Sequence, residues 1–355
     1  MNIERLQQAL LNWYKVHKRD LPWRKTTDPY LIWLSEIILQ QTRVSQGLPY
    51  YLKFSTQFPN VHALANAPQE EVLKAWEGLG YYSRARNLHA AAKEVSHNRD
   101  GNFPSSYQGL LELKGVGDYT AAAVASFAYR EGVAVVDGNV FRVLSRLFGD
   151  ATPVNTTQGK KVFKGYAQKL LNKGQPDLHN QAMMELGALQ CTPTKPNCRQ
   201  CPVKDYCSAY AQSAVAQYPV KERKKYNRVR HFFYVYPQYQ KQVAVSKRRD
   251  NIWKGLFEFP LLEFEEPKEV QEVLESKDFL DLGLRAFQLD TPVKLRAHKL
   301  SHQTLHITIL PIHFEDKPAA FSHCQWIAKA SLKDLAFPRP LRQFLNEKQL
   351  NLPFD

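Results

Sequence analysis

The chain has 355 residues, of which 44% are hydrophobic, an ordinary globular composition with room for two or three domains and substantial cores. The opening stretch MNIERLQQALLNWYKVHKR is amphipathic and broken by charge, which excludes a signal peptide and a membrane span and predicts a soluble, intracellular protein. A formal net charge of +14 and a sequence pI near 9.4 favour a polyanionic partner, the alternative being that excess lysine only aids solubility.

The first half reads as helices joined by short turns. Asp28-Pro29 is an N-cap followed by proline at the first helical position, and it opens a helix predicted from Tyr30 to about Gln41. Glu36 lies on that helix among Trp33, Leu34, Ile37 and Ile38, where burial would raise its pKa. QEEVLKAWEGLG ends at glycine as a helix C-terminus does, and SRARNLHAAAKEVSHN forms another amphipathic helix closed near Gly101.

Residues 111–129, LELKGVGDYTAAAVASFAY, have the pattern of a helix–hairpin–helix: a helix, a GVG turn and an alanine-rich helix. Gly115 and Gly117 permit a tight turn whose N–H groups approach a phosphate, so the motif grips a DNA backbone without reading bases. In VAVVDGNVFRVLSRL, Asp137 stands where an apolar stretch stops and a helix begins, a position that stabilises its anion.

Cys191, Cys198, Cys201 and Cys207 follow at C-x6-C-x2-C-x5-C, with Pro193, Pro196 and Pro202 between them. Four thiolates this close together repel one another unless a metal centre neutralises them. Structural zinc and an iron–sulfur cluster both accept four cysteines. The polar and then strongly basic stretch 212–229 reads as a linker. Beyond it the periodicity becomes β-rich in HFFYVYP, KQVAVSKR, GLFEFP and HITILPIHF, with helices near 267–276 and 338–347. The fold class predicted is a mostly α N-terminal region followed by an α+β C-terminal domain.

The order hairpin, aspartate, cysteine loop resembles the helix–hairpin–helix DNA glycosylase superfamily over roughly residues 1–215. The cysteine spacing is similar to the [4Fe–4S] loop of its endonuclease III-like members. LPWR…DPYLIWLSEIILQQTRV is more specific, and resembles the adenine DNA glycosylases of the MutY type. That resemblance implies a catalytic region over 1–211 with a [4Fe–4S] loop at 191–207, the basic linker at 212–229, and a Nudix-like 8-oxoguanine-recognition domain over 230–355. It implies a monomeric, monofunctional enzyme of base excision repair, cytoplasmic and nucleoid-associated. Its partner is double-stranded DNA holding 8-oxoguanine:adenine or guanine:adenine mispairs, from which it hydrolyses the N-glycosidic bond of adenine.

Residue by residue, the resemblance makes Glu36 the acid that protonates adenine N7 and Asp137 the carboxylate that stabilises the sugar cation. Tyr119 lies beside the scissile sugar, where lyases of the endonuclease III type carry a Schiff-base lysine, and Asn139 supports the site. Arg24 lines the adenine pocket, Gln41 and Thr42 lie at the lesion pair, and Tyr81 wedges between base steps. The cysteine loop presents Lys195, Arg199 and Lys204 to phosphates.

In the C-terminal domain the family reads the lesion through a Phe-Ser-His loop. The match chosen here is Leu300-Ser301-His302, before the strand QTLHITIL, and not the literal Phe321-Ser322-His323, which is expected to lack a following strand. No Nudix box is present, so pyrophosphate hydrolysis is not expected. Two alternatives stand beside this reading. One is an endonuclease III-type glycosylase/lyase acting on oxidised pyrimidines, and the other a DNA-binding relative without catalysis.

Overall fold

A computed structural model describes residues 2–222 and 228–350, the last three without side-chain detail. Residues 223–227 of the expected linker and 351–355 of the C-terminal domain lie outside the described residues. The chain divides into two compact units, Met1–Asn66 with Asn87–Lys224, and Ala67–Arg86 with Lys225–Asp355. None of the described helices is long and apolar enough to cross a membrane.

The helical half contains α1 (Ile3–His17), α2 (Pro29–Leu39), α3 (Val44–Gln57), α4 (Val61–Asn66), α5 (Gln69–Ala75), α6 (Ser83–Asn98), α7 (Tyr107–Leu111), α8 (Asp118–Tyr129), α9 (Gly138–Phe148), α10 (Thr157–Leu170), α11 (Pro176–Glu185) and α12 (Ser208–Ala211). Leu6, Leu10 and Tyr14 of α1 share a core with Val140, Leu144 and Leu147 of α9, Phe163 of α10 and Met183 of α11. A second packing joins α2 to α8. Ala121, Ala122, Ala123 and Ala125 of α8 are buried, and such small side chains let two helix backbones approach closely.

Asp28 caps α2 as expected, accepting from the Tyr30 N–H at 2.8 Å. The helix ends at Leu39, two residues short of the Gln41 predicted. Gln40 leaves the helix at ψ 114°, and Gln41 follows at φ 56° in a tight turn closed by the Thr42 N–H on the Leu39 carbonyl. Residues 212–222 are hydrogen-bonded to the helical unit and do not run free as a linker would. Arg146 Nε donates to the carbonyls of Val215 and Tyr218, each at 3.2 Å. Asn155 and Glu222 exchange two hydrogen bonds of 2.9 Å.

The second unit is built on strands β1 (Arg228–Tyr239), β2 (Gln242–Lys247), β3 (Phe257–Glu258), β4 (Leu261–Phe264), β5 (Phe287–Leu289), β6 (Val293–Lys294), β7 (His298–Lys299), β8 (Gln303–Phe314) and β9 (Gln325–Ala328). The long strands β1 and β8 run parallel in register from Arg228↔Gln303 to Tyr239↔Phe314. β4 and β2 pair antiparallel with β1, β9 with β2, and β5, β6 and β7 with β8.

Both faces of β1 are covered, so HFFYVYP is apolar without alternating. Phe233 and Val235 face α13 (Val270–Leu274) and α14 (Lys277–Leu280). Tyr236 meets Phe259 and Phe344 of α15 (Arg339–Leu350) on the other side. Residues 67–86, helical in sequence, are fastened into this unit. Glu77 accepts from Lys74 Nζ at 2.6 Å, the Phe337 N–H at 3.0 Å and Arg342 Nε at 2.9 Å.

Candidate active site and cysteine centre

Glu36 sits on a helix whose residues from Ile32 to Ile38 are all buried, and it is itself only 4% exposed. Burial pushes its carboxyl up to about 7. The hydrogen bond that Tyr119 Oη donates to Glu36 Oε2 pulls the other way, the charge of Asp137 raises the value further, and Arg24 lowers it. Burial and the charges of Glu36 and Asp137 hold the Tyr119 phenol well above its ordinary range, so it stays a donor. Tyr119 occupies the first turn of α8, directly after the hairpin.

Glu36 opens onto a cavity of about 330 Å³, part of it open to solvent, lined by Trp23, Arg24, Ile32, Ser35, Phe127, Gln181 and Met184. Arg24 is in this wall. Its holder, Glu185, was not foreseen. This fully buried carboxylate accepts from Arg24 Nη1 and Nη2 at 3.0 and 2.7 Å, and from Arg19 Nε and Nη2 at 2.9 and 2.7 Å. Burial pushes Glu185 up, but the hydrogen bonds from Arg19 and Arg24 outweigh it and hold the carboxyl down at about 2. Glu185 is distant from both arginines in sequence, and no local pattern announces the contact.

Asp137 is the N-cap of α9, its Oδ1 accepting from the Val140 N–H at 2.7 Å and its Oδ2 from Asn139 Nδ2 at 2.8 Å. Burial raises its pKa, opposed by those hydrogen bonds and the charge of Arg142. From Asn139 the contacts continue to the cysteine loop: Arg142 Nη2 donates to Asn139 Oδ1 at 2.9 Å, and Arg142 Nε to the Cys191 carbonyl at 2.7 Å. A π-helical turn, Leu186–Gln190, brings Gly187 against Asn139, where an added Cβ would stand 2.7 Å from the Asn139 Cβ. Only glycine permits that approach.

Cys191, Cys198, Cys201 and Cys207 line one cavity together with Arg146, Gln190, Pro196 and Lys204. Each stands at the end of a short turn, and the backbone links Cys201 N–H to the Cys198 carbonyl at 3.1 Å and Cys207 N–H to Lys204 at 3.0 Å. Among the described residues no group of three or more His, Cys, Asp or Glu is gathered closely enough to hold a metal ion. Buried Arg146 reaches in from α9, its Nη1 3.3 Å from the Cys191 sulfur and 2.8 Å from the Thr192 carbonyl. Arg142 and Arg146, four residues apart on one helix face, were the missed signal for this loop. Lys195 and Arg199 are exposed, whereas Lys204 is half-buried and donates to the Arg199 carbonyl at 3.3 Å.

The two hairpin glycines differ in what they do. Gly115 takes φ 79°, and a Cβ there would lie 2.5 Å from that of Asn87, so the turn needs glycine. Gly117 has φ −95°, which any residue adopts, and a Cβ there meets nothing within 4 Å. The tight turn is thus made by one glycine and not by two. Thr42, after α2, donates its N–H to the Leu39 carbonyl at 3.1 Å, and Gln41 is exposed.

Tyr81, Ser301 and His302 belong to the second unit. Leu300-Ser301-His302 joins β7 to β8, and Ser301 and His302 are exposed. Ser301 Oγ lies 2.5 Å from the Tyr81 hydroxyl. In the rejected tripeptide, Phe321 is buried in the core against Phe314 and Trp326. Contrary to expectation a strand, β9, does follow it.

Known proteins match both units. A family model of HhH-GPD superfamily base excision DNA repair proteins covers residues 34–172, and a NUDIX domain model covers residues 232–347. An adenine DNA glycosylase of Buchnera aphidicola subsp. Schizaphis graminum is 31% identical over 97% of this chain and 99% of its own. The adenine DNA glycosylase of Homo sapiens is 43% identical over 57% of this chain and 38% of its own. The solved structure of a thermostable thymine-DNA glycosylase is 31% identical and aligns with a TM-score of 0.55, covering 59% of this chain and 97% of that one. With a helical excision-repair fold, a Nudix-like strand domain and a full-length match, the chain belongs to the adenine DNA glycosylases.

Proposed function

We propose that this DNA N-glycosylase removes adenine paired with 8-oxoguanine or guanine in double-stranded DNA, acting as a monomer on the nucleoid in the cytoplasm. The observation that carries the chemistry is the hydrogen bond from Tyr119 to a buried Glu36 whose pKa lies near 7. Such an acid is half-protonated at neutral pH, poised to hand its proton to a leaving base. The flipped adenine enters the cavity of Glu36 and Arg24, and Glu36 protonates N7. As the glycosidic bond lengthens, positive charge develops at C1′, and the Asp137 carboxylate stabilises it. Asn139 orients Asp137, and water completes an abasic site. Tyr119 has no amine, so no Schiff base forms with the sugar, which favours this reading over a lyase.

The four cysteines line one cavity together, a donor set of four thiolates that fits a [4Fe–4S] cluster. Bound there, the cluster supplies a rigid charge-compensating anchor for the loop. The loop offers Lys195 and Arg199 to phosphates, and the hairpin at Gly115 and Gly117 offers backbone amides. Gln41 and Thr42 meet the lesion pair, and Tyr81 wedges between base steps.

In the second unit Ser301 and His302 sense the oxidised guanine. The serine hydroxyl accepts from its N7–H, which guanine lacks. Single-turnover excision from 8-oxoguanine:adenine and guanine:adenine duplexes tests this reading. The doubly substituted Ser301→Ala, His302→Ala protein is expected to lose about tenfold to a hundredfold of its preference for the oxidised pair, the worth of one or two hydrogen bonds, with the chemical step intact. Equal losses from Ser322→Ala with His323→Ala would move the reader to that tripeptide. No excision of adenine from either duplex by the unsubstituted protein would refute the activity itself.

A further inference from the structure

The strained turn before α6 contains a contact that the excision chemistry does not use. Tyr81 takes φ 48°, a conformation rare for an aromatic residue, and it leaves 47% of its surface exposed. Its ring does not hang free. The Arg84 guanidinium carbon lies 5.6 Å from the Tyr81 ring centre and 5.1 Å from that of Trp76, so the cation sits between two aromatic rings. Trp76 is fully buried, and Arg84 is 9% exposed.

The same three residues also hold the backbone. Trp76 Nε1 donates to the Gly80 carbonyl at 3.0 Å and Arg84 Nη2 to the same oxygen at 3.3 Å, while the Arg84 N–H bonds the Tyr81 carbonyl at 2.9 Å. The peptide immediately before Tyr81 is therefore held from two sides, and the Tyr81 ring from a third.

From this geometry we infer that Arg84 is the positioning residue for Tyr81, fixing the ring and its strained backbone before DNA arrives so that it enters the base stack already ordered. The inference rests on the wedge reading of Tyr81. Burial of a guanidinium is costly, and burial pushes Arg84 down to about 10, so it is still charged at neutral pH. An uncharged side chain such as methionine would fill much of the same slot. The charge is what both ring faces bind, because the negative face of an aromatic ring attracts a desolvated cation. A ring ordered in advance loses less freedom on insertion than one that must be immobilised on the DNA.

The test uses the full chain and a duplex with 8-oxoguanine opposite 2′-fluoro-adenosine, which resists hydrolysis, and 2-aminopurine beside the oxidised base to report unstacking. The unsubstituted protein is expected to raise the 2-aminopurine fluorescence on binding, and Tyr81→Ala to abolish the rise. Arg84→Met should lower the ratio of inserted to uninserted complex about tenfold, in the range of a buried cation–π contact. Arg84→Lys, which keeps the charge, should recover part of it. Tyr81→Ala combined with Arg84→Met should match Tyr81→Ala alone, since Arg84 acts through the ring.

Should Arg84→Met fail to fold in a thermal melt, Arg84→Gln serves for the same comparison. A full fluorescence rise with the neutral variant, or additive losses in the double variant, would overturn the inference. A full rise with Tyr81→Ala would overturn the wedge reading, and this inference with it.

Discussion

Asp137→Asn is expected to keep duplex binding and to lose adenine excision by about 10³-fold or more, near 4 kcal/mol of transition-state stabilisation. The substitution keeps the shape of the side chain, and an amide oxygen can still accept from the Val140 N–H. It removes the negative charge that the proposed mechanism sets against the developing cation. It also sets the new NH2 group against Asn139 Nδ2, and Asn139 cannot turn its oxygen inward without presenting that NH2 group to Arg142, which now donates to the oxygen. A modest loss of thermal stability, about 1–3 kcal/mol for a mispaired buried polar group, should accompany the catalytic loss. Single-turnover kinetics with a parallel binding assay separates the two effects. Excision at a near-normal rate would remove Asp137 from the catalytic machinery.

Cys198→Ser has the second-largest expected effect. It removes one of the four thiols that line the loop cavity, and the visible iron–sulfur absorbance of the purified protein should be lost with it. Affinity for duplex DNA should fall by roughly tenfold or more, because the loop carrying Lys195 and Arg199 loses its anchor. Excision should slow as well. The Cys191 carbonyl holds Arg142, Arg142 holds Asn139, and Asn139 orients Asp137, so disorder in the loop reaches the carboxylate through three hydrogen bonds. Metal analysis of the unsubstituted protein gives the opposing result its form: stoichiometric zinc with no iron would contradict the cluster.

The parts of this enzyme that follow local rules were legible in the sequence. Asp28-Pro29 starts a helix because an aspartate cap and an N1 proline satisfy the first turn. Glu36 amid Trp33, Leu34, Ile37 and Ile38 reads as a buried acid, and the hairpin, Asp137 and the cysteine spacing are contiguous patterns.

The missed parts arise from long-range contacts. Glu185 meets Arg19 and Arg24 only when α11 packs near the start of the chain, and Gly187 is needed only because Asn139 arrives beside it. Arg142 and Arg146 look like the charged face of an exposed helix, yet both are buried beneath the cysteine loop. Residues 67–86 are helical in pattern, but Glu77 binds Arg342 and the Phe337 N–H, and neither partner is visible from the segment itself. The same blindness credited Gly117 with a conformational role that Gly115 alone performs.

The division of labour between two carboxylates is tested most directly by the pH dependence of single-turnover adenine excision, for the unsubstituted protein and for Tyr119→Phe. In the proposed mechanism Glu36 acts in its protonated form, and with its pKa near 7 the rate should fall tenfold per pH unit above that value. In the same mechanism Asp137 acts ionised, and burial raises its pKa, so the rate should also fall on the acid side, at a pH higher than a free aspartate would give. The Tyr119 hydrogen bond lowers the Glu36 pKa. Removing a bond worth about 1 kcal/mol should therefore move the alkaline limb upward by roughly 0.7 unit. A bell-shaped profile whose alkaline limb shifts upward in Tyr119→Phe is the result predicted. A rate that stays level well above neutrality, or an alkaline limb that Tyr119→Phe leaves in place or moves downward, would contradict Glu36 as the acid.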